Sequence, residues 1–553
     1  MRQAPTCLLI VASAVFVASA PAQELKGRVW THDKLGVKLT IPDGYSTVPL
    51  QVDEQWIAAK FLSDKTYLSK DRDWNQEHRP LMRVIVFTEK AKKASAGEVH
   101  EEEDGSTFIG IGAVPYQGYR DYVKRHRRGF FFSKEKEDKV GTESCLMCEV
   151  DVHKSDPKLH LYTVVCRRPT FEIAVEFEVL EDRRDQLEKY CLRALESIRF
   201  SEPALESGAA ETGGRRTSTR VWTAFRSQWR KRPHEERVDI RRTMERDHHA
   251  AVKGRTPEDW SVEESKHFLV VSHADPKFTK QMVEGAELFY AWCEKEFSTL
   301  GDDYVRRSVL RLCKDRDEYY AFHFDSSNST GWSLFGSEHE IGTYYDTYNG
   351  TSGRDVSRLF GGILTHYLQE LDPHIVSYTP YWLTWALDDY VEECYVKGRK
   401  LDFRVEDWAR DEARDMARED KLPKLHDILA MSESDFSKLR KDDSRAKYAA
   451  SQALRFVLGP GSREKVFKDF LLRYFKAAIA VAEKHDADWK SADHTPAETE
   501  EEEERQAKEY AKRTKERAKQ VQAEINEMVL GQITDKQWEK FDKNFADFVK
   551  KGK

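Results

Sequence analysis

The sequence predicts an α+β protein, in which a sheet-rich domain is followed by a largely helical domain with a small sheet. In residues 24–202, apolar and polar residues alternate with the period of two that strands require. In residues 260–553, apolar residues recur mainly at helical spacing. Residues 203–220, between the two regions, are small, polar and glycine-containing, which is typical of a flexible linker. A chain of 553 residues is also too long for one hydrophobic core.

The charge balance argues against nucleic acid and membrane surfaces as partners. The chain has 90 Lys and Arg residues and 97 Asp and Glu residues, so its formal net charge is only −7. A charge this close to balance gives no overall attraction to nucleic acid or to a membrane. Hydrophobic residues make up 39% of the chain, which is enough for globular cores.

The N-terminus predicts export. Arg2 precedes an apolar run over residues 7–18, and Ala20-Pro21-Ala22 fit the small-residue pattern of a signal-peptide cleavage site. The run is shorter than the ~20 apolar residues that cross a bilayer. Residues 1–22 are therefore predicted to be a signal peptide and not a membrane span, and the mature protein to be secreted or periplasmic.

Strands and helices of the first domain follow from the alternation. Strands are predicted over 36–48, 55–62 and 81–89, and an antiparallel meander over 145–153, 159–168 and 170–179. Helices are predicted over 116–128 and 182–197, the second with one apolar face made of Leu187, Tyr190, Cys191, Leu195 and Ile198. His153 and His160 flank a turn of the meander and are predicted to be surface residues, not metal ligands.

The cysteines do not form a disulfide scaffold by their spacing. Seven follow residue 22, and an odd number leaves at least one thiol free. Cys145 and Cys148 form a CxxC pair, but this odd spacing in a strand directs them to opposite faces. Burial as small apolar side chains is predicted for them, in preference to a redox or zinc role.

The first domain has three features that together resemble the PsbP-like α/β fold of many secreted bacterial proteins. They are the opening strand with its Ile41-Pro42-Asp43-Gly44-Tyr45 turn, the central helix, and the closing helix that ends in Ser197-Ile198-Arg199-Phe200. The resemblance covers residues 24–202. It implies a binding or accessory domain with no catalytic residues of its own.

Residues 221–259 are predicted to be a charged connecting helix that packs on the second domain. Pro233 is expected to break it. His248 and His249 lie within it, but adjacent residues on a helix point about 100° apart and cannot easily share an ion.

The second domain is predicted to begin with a strand over 267–275, a helix over 276–300, a strand and helix over 308–324 and one or two short strands within 331–346. Two helices follow within 359–393, and a further helix contains Tyr448. A charged helical insertion is predicted at about 486–530, solvated and not a coiled coil because its apolar positions are sparse. A last helix is expected to dock through Trp538, Phe541, Phe545 and Phe548.

The two helices within 359–393 carry a degenerate metallopeptidase motif. His366, Tyr367 and Glu370 stand where an HExxH motif has its first His ligand, its general base and its second His ligand. In the second helix, Trp382, Leu383, Leu387, Tyr390 and Glu392 fit a WLxEGxAEY segment, with Asp389 at an acidic position and Trp385 at the third ligand position.

Through these residues, and through the order of strands and helices before them, residues 260 to about 478 resemble the gluzincin family of the peptidase MA superfamily. The resemblance implies a peptidase fold with a substrate cleft. It also implies that the general base and two of the three metal ligands have been replaced.

Two functions stay open. The first is a secreted, catalytically inactive peptidase-fold protein that needs no cofactor and binds a peptide, polymer or protein partner. Asp388, Asp389 and Tyr448 are then the cleft candidates, and Trp385 fills the space of the ion. The alternative is a divergent zinc metallohydrolase in which His366, Glu370 and Asp389 hold the metal. Tyr367 cannot act as a base at neutral pH without a large pKa shift, which favours the first function.

Overall fold

The computed structural model describes residues 23–50, 56–70, 77–88, 99–101, 107–109, 116–127, 129–155, 157–169, 171–201, 232–301, 304–322, 333–335, 340–345, 356–404, 407–488 and 500–552. The predicted signal peptide and the predicted linker lie outside these residues. The chain divides into two compact units. The first comprises residues 1–47, 55–93 and 116–213, and the second comprises residues 48–54, 94–115 and 214–553.

Up to residue 201, the described chain is mainly antiparallel sheet. Its strands are β1 (Gln23–Lys26), β2 (Val29–His32), β3 (Val37–Thr40), β4 (Tyr45–Val48), β5 (Ile57–Ser63), β6 (Tyr67–Leu68), β7 (Glu77–His78), β8 (Leu81–Thr88), β9 (Val99–Glu101), β10 (Thr107–Ile109), β11 (Phe130–Val140), β12 (Glu143–Val152), β13 (Leu159–Arg167), β14 (Phe171–Leu180) and β15 (Arg199–Phe200). The helices are α1 (Tyr119–His126) and α2 (Arg184–Glu196).

The largest sheet of the first unit has the strand order β11-β12-β13-β14-β8-β5-β4. Strands β12, β13 and β14 pair antiparallel in sequence order, which confirms the predicted meander. Cys145 and Cys166 are direct partners in the β12–β13 register and are joined by a disulfide. Cys148, three residues further along β12, is a buried free thiol.

Strand β14 is buried on both faces because each face meets a different helix. Ile173, Val175 and Phe177 face the apolar core that α2 covers through Leu187 and Leu195. On the opposite face of β14, Glu172 and Glu176 accept hydrogen bonds from Tyr119 of α1. Tyr190, which was predicted to lie on the apolar face of α2, is instead 36% exposed.

The acidic face of β14 holds a buried ionic cluster. Arg83 Nη1 donates to Glu176 Oε1 at 2.8 Å and to Glu178 Oε2 at 3.0 Å. The Tyr119 hydroxyl donates to Glu176 Oε2 at 2.7 Å. Burial alone would raise the pKa of Glu178, but Arg83 and Arg127 hold it well below its usual range. Charges on this face are therefore buried in pairs, as a low-dielectric interior requires.

One surface prediction in the first unit is wrong. His160 is fully buried, and its Nδ1 lies 2.6 Å from Asp151 Oδ1. The carboxylate on the neighbouring strand makes burial of the ring possible, a pairing that the sequence of one strand does not reveal. His153 is half exposed, as predicted.

The second unit is largely helical. Its described helices are α3 (His234–Arg255), α4 (Pro276–Phe297), α5 (Arg316–Phe322), α6 (Phe360–Leu371), α7 (Pro373–Tyr378), α8 (Tyr381–Glu392), α9 (Asp407–Arg418), α10 (Leu425–Ala430), α11 (Glu433–Asp442), α12 (Ala446–Leu458), α13 (Phe470–Asp488), α14 (Glu500–Leu530) and α15 (Asp535–Lys551). Its strands are β16 (Ser261–Glu264), β17 (Phe268–Ser272), β18 (Ser308–Cys313), β19 (Ser333–Phe335), β20 (Glu340–Tyr344), β21 (Cys394–Lys397) and β22 (Lys400–Phe403). With the antiparallel first unit, this confirms the predicted α+β class.

A five-stranded sheet opens the second unit in the order β16-β17-β18-β20-β19. The three central strands are parallel, and the two edge strands are antiparallel to their neighbours. Helix α4 packs on α6, where the Phe289 and Phe360 rings stack with centroids 4.1 Å apart. Gly285 permits close approach there, since a Cβ atom would lie 2.1 Å from Val356 Cγ1.

The C-terminal helices pack onto the same core. Phe541 and Phe545 of α15 are buried, which confirms the predicted docking of the last helix. The long helix α14 is not solvated throughout, because Val521, Ile525 and Val529 near its C-terminal end are buried. Residues 489–499 of the predicted insertion lie outside the described chain. Among the described helices, none has both the length and the apolar character needed to cross a bilayer.

Candidate functional site

The two motif helices lie side by side in the core of the second unit. Helix α6 packs against α8, as the sequence predicted. Helix α8 begins after Pro380. The proline ring restricts the backbone at this position, and proline lacks the N–H group that would have no partner at a helix N-terminus. His366, Tyr367 and Glu370 are all buried on α6, so the motif residues are part of the interior.

Glu370 is bound by two arginines. Its Oε2 accepts hydrogen bonds from Arg306 Nε at 3.0 Å and from the Arg306 backbone N–H at 3.1 Å. Arg306 Nη2 donates to Oε1 at 2.9 Å, and Arg241 Nη1 donates to Oε2 at 3.1 Å. The residue is 1% exposed. Both carboxylate oxygens at the second ligand position are thus committed to guanidinium groups.

His366 is held in one tautomer by the chain that leads into β18. Its Nε2 lies 2.7 Å from the carbonyl oxygen of Arg306, and since a carbonyl only accepts, Nε2 carries the proton. Burial lowers the pKa of His366, against the opposing effect of Glu370, so the ring is neutral near pH 7. The Nε2 nitrogen therefore has no lone pair to offer a metal.

Tyr367 is a buried phenol at the position of the general base. Its ring meets Tyr290 edge-on, with centroids 5.3 Å apart. Burial, and then Cys293 and Glu294, raise the pKa of Tyr367 further above its ordinary value. A phenol with a raised pKa stays protonated at neutral pH and cannot deprotonate a water.

Trp385 is half-buried and makes its ring contacts with neighbours on its own helix and on α11. The guanidinium of Arg440 lies 4.0 Å from the indole centroid, and the Tyr381 ring lies 6.1 Å away. A cation over an indole face is a favourable arrangement. These ring contacts direct Trp385 toward α11. They include neither His366 nor Glu370, so they do not support the prediction that Trp385 fills the space of an ion. Trp382 is the tryptophan of α8 that is fully buried.

Among the acidic residues of α8, Asp389 bonds to α12. Asp389 accepts a hydrogen bond from Ser451 of α12. Burial raises the pKa of Asp389, and the Ser451 bond and Arg455 oppose this. Burial, followed by the charges of Glu392 and Asp389, raises the pKa of Asp388 to about 7. Asp388 therefore carries a carboxyl group that titrates near neutral pH.

The alternative zinc ligands are not gathered around one point. Within the described residues, no group of three or more His, Cys, Asp or Glu side chains is arranged to hold a metal ion. Asp389 is bonded to Ser451, and Glu370 to Arg306 and Arg241. Tyr448, the other cleft candidate, lies on α12 with its ring edge-on to Trp408 at 5.1 Å. The residues present therefore do not fit zinc as the alternative function requires.

The arginines of this region were missed by sequence reasoning. Besides Arg306, the same segment places Arg307 Nε 2.7 Å from Glu245 Oε1, and Arg311 Nη2 2.8 Å from Glu340 Oε2. The available signal was three arginines in and just before the otherwise apolar strand β18. Arginine in a buried strand needs an acidic partner, which points to buried glutamates elsewhere in the chain.

Comparison with known proteins gives structural likenesses only. No protein-family model matches the chain, and no curated protein matches it. Cyanobacterial PsbP (CyanoP) from Synechocystis sp. PCC 6803 is similar to 34% of this chain and is covered over 96% of its own length, with 13% identity and a TM-score of 0.21. LpqN, involved in cell envelope biogenesis of Mycobacterium tuberculosis, matches 30% of this chain and 83% of its own, with 12% identity and a TM-score of 0.19.

A third similar structure comes from Bacteroides thetaiotaomicron VPI-5482. It matches 54% of this chain and 78% of its own length, with 9% identity and a TM-score of 0.17. The structural neighbours thus include a PsbP protein. At TM-scores this low, the likenesses establish neither a family nor a function.

Proposed function

We propose that the protein is an exported, catalytically inactive member of the metallopeptidase fold class that binds a peptide, polymer or protein partner. In this proposal the second unit has a gluzincin-type fold and the first unit a PsbP-like fold. The observation that carries the proposal is the pairing of Glu370 with Arg306 and Arg241 at the position of a metal ligand.

The charges around Glu370 oppose a bound dication. Zinc at this carboxylate would have to displace or repel two guanidinium groups that are themselves buried, with Arg306 6% exposed and Arg241 3% exposed. Breaking a buried ion pair by removing one partner costs about 3–5 kcal/mol. The charges of the cluster are therefore paired without a metal, and its residues do not offer the open coordination position that catalysis needs.

Loss of the base supports the same conclusion independently. A zinc peptidase needs a group that accepts a proton from the bound water near pH 7. Tyr367 is buried and protonated, and the acid with a pKa near 7, Asp388, lies on α8 with Glu392 and Asp389. A divergent metallohydrolase with His366, Glu370 and Asp389 as ligands is the alternative that these contacts disfavour.

The disulfide supports export. A cross-strand disulfide between Cys145 and Cys166 persists in oxidising compartments and is rare in the reducing cytosol. Together with the predicted signal peptide, it favours a secreted or periplasmic location.

A peptidase assay with matched variants tests the proposal. Purified protein is incubated with a mixture of denatured casein and a peptide library, with added zinc, and the products are followed by mass spectrometry. Wild type, His366→Ala and the exposed control Glu263→Gln should all give the same background. Cleavage by wild type that disappears in His366→Ala but survives in Glu263→Gln would reject the proposal and support the metallohydrolase.

A further inference from the structure

The first unit contains a cavity of about 530 Å³ between the turn before β4, the end of β5 and helix α2. Its volume lies within the range of small-molecule sites. The lining comes from four separate stretches of the chain, and all of it belongs to the first unit. Neither motif helix of the second unit takes part in it.

Tyrosine rings form one wall of the cavity. The Tyr45 and Tyr190 ring centroids are 6.2 Å apart, and the ring planes are inclined by 31°. Phe177 meets Tyr45 edge-on from the core, and the Tyr190 hydroxyl donates to the carbonyl oxygen of Asp43 at 2.6 Å. Tyr67 is a third ring in the lining. The two main rings are therefore held in place and present aromatic surface to the cavity.

Polar groups without partners surround this aromatic wall. Within the described residues, the Gln186 amide and the hydroxyls of Tyr45 and Tyr67 have no hydrogen-bond partner. Burial raises the pKa of Tyr45 well above its ordinary value, with smaller effects of Cys191, Tyr190 and Tyr67, so its hydroxyl is a donor at neutral pH. These groups can bond to a ligand without breaking a bond inside the protein.

The rim carries two carboxylates and three cationic groups. Asp43 Oδ1 lies 2.9 Å from Arg28 Nη1, and Asp64 Oδ1 lies 3.7 Å from Arg79 Nη2. The Lys65 ammonium lies 5.0 Å from the Tyr67 ring centroid. Each carboxylate thus has a guanidinium partner, and the cavity has no excess negative charge to select a cation. Aromatic contact and hydrogen bonds, including those that the Asp64 carboxylate can accept, are then available for recognition.

We propose that this cavity binds a neutral carbohydrate, with one pyranose ring lying on Tyr45 and Tyr190 and its hydroxyl groups bonded by Gln186, Asp64 and the free tyrosine hydroxyls. A pyranose has a face of polarised C–H bonds, which the negative face of an aromatic ring attracts. Its edge carries hydroxyls that each donate and accept, which suits an amide, a carboxylate and phenols placed together.

The carbohydrate assignment rests on the proposed function only in supposing that the protein acts as a binding protein. Its evidence comes from the residues of the cavity. Sugar titrations report no peptidase activity, so either proposal can fail while the other stands.

The test uses the full chain and an array of neutral mono-, di- and oligosaccharides. Hits are titrated by calorimetry and mapped by saturation-transfer NMR. At least one neutral saccharide should bind saturably. Tyr190→Ala should weaken its binding by up to roughly tenfold, because tenfold corresponds to about 1.4 kcal/mol, the upper range for one aromatic contact. Tyr190→Phe keeps the ring and should stay within roughly threefold of wild type.

Two further variants test the assignment, one in the cavity and one as a control. Gln186 is exposed, so Gln186→Ala should fold normally and still weaken binding. Phe131, 61% exposed on β11 of the same unit, provides a matched aromatic control, and Phe131→Ala should bind as wild type does. The proposal is overturned if no neutral saccharide binds, if bound saccharide is insensitive to both Tyr190→Ala and Gln186→Ala, or if choline or trigalacturonate binds in their place.

Discussion

Glu370 is the residue on which the polar interior of the second unit depends. The substitution Glu370→Gln keeps the side-chain volume but leaves Arg306 and Arg241 buried without their counter-charge. We expect the free energy of unfolding to fall by about 3–5 kcal/mol, measured by urea denaturation. Glu263→Gln, at an exposed position of β16, is the control and should change stability by less than about 0.5 kcal/mol. Equal denaturation midpoints for the two variants would contradict the structural role of Glu370.

Asp388 should make the second unit less stable as pH rises. Its pKa of about 7 in the folded protein exceeds the value of 3.8 for an unperturbed Asp, so the stability that it contributes is fully present below about pH 4 and is lost as pH rises through 7. Asp388→Asn should match wild type near pH 4 and be more stable at pH 8, by at most roughly 4 kcal/mol. Denaturation midpoints measured from pH 4.5 to 8 check this, and parallel pH profiles for the two proteins would refute it.

Single residues also show where sequence reasoning stops. The identities of His366, Tyr367, Glu370 and Trp385 were enough to predict that these positions lack the usual residues of an HExxH site. The partners of Glu370 could not be predicted, because Arg306 and Arg241 come from segments far from Glu370 in sequence. The same reason explains His160, whose burial depends on Asp151 across a strand pair.

At the scale of elements, the sequence predicted that β12 pairs with β13 but not that a disulfide links the two strands. The double variant Cys145→Ser/Cys166→Ser removes the disulfide that closes this hairpin. A closed loop of this length stabilises a fold by about 3 kcal/mol, so the first unit should lose roughly that amount in urea denaturation. The buried thiol of Cys148 is the internal reference for thiol counting under denaturing conditions. With the disulfide present, denatured wild type and the double variant should give the same number of thiols. Two more thiols in wild type than in the double variant would show that the disulfide is absent.

The alternation of apolar and polar residues predicted the meander, because in a strand it shows which side chains face the core. Strand β14 was predicted as a strand, yet its acidic residues at even spacing were an unused signal that both faces are buried. Helix α14 was predicted to be solvated because its apolar residues are sparse. They are concentrated near its C-terminal end, where Val521 and Ile525 reach the core. A pattern averaged over a whole helix hides such a local face.

For the whole molecule, the α+β class follows from the sequence because the two kinds of periodicity occupy separate parts of the chain. The composition of residues 203–220 also predicts a linker between two domains. These residues lie outside the described chain, so the linker stays a prediction. The cavity of the first unit could not be predicted, since it combines a turn, a strand end and a helix that are distant in sequence. The proposed function at this scale depends on whether the second unit binds a metal.

Zinc stoichiometry is the most direct measurement of that point. Full-length protein is purified without chelators, equilibrated with excess zinc at pH 7.5, freed of loose metal by gel filtration and analysed by plasma mass spectrometry. Because Glu370 is bound by two guanidinium groups and His366 Nε2 carries its proton, we predict much less than one zinc per chain, with no difference between wild type and His366→Ala. One zinc per chain in wild type, lost in His366→Ala, would contradict the account.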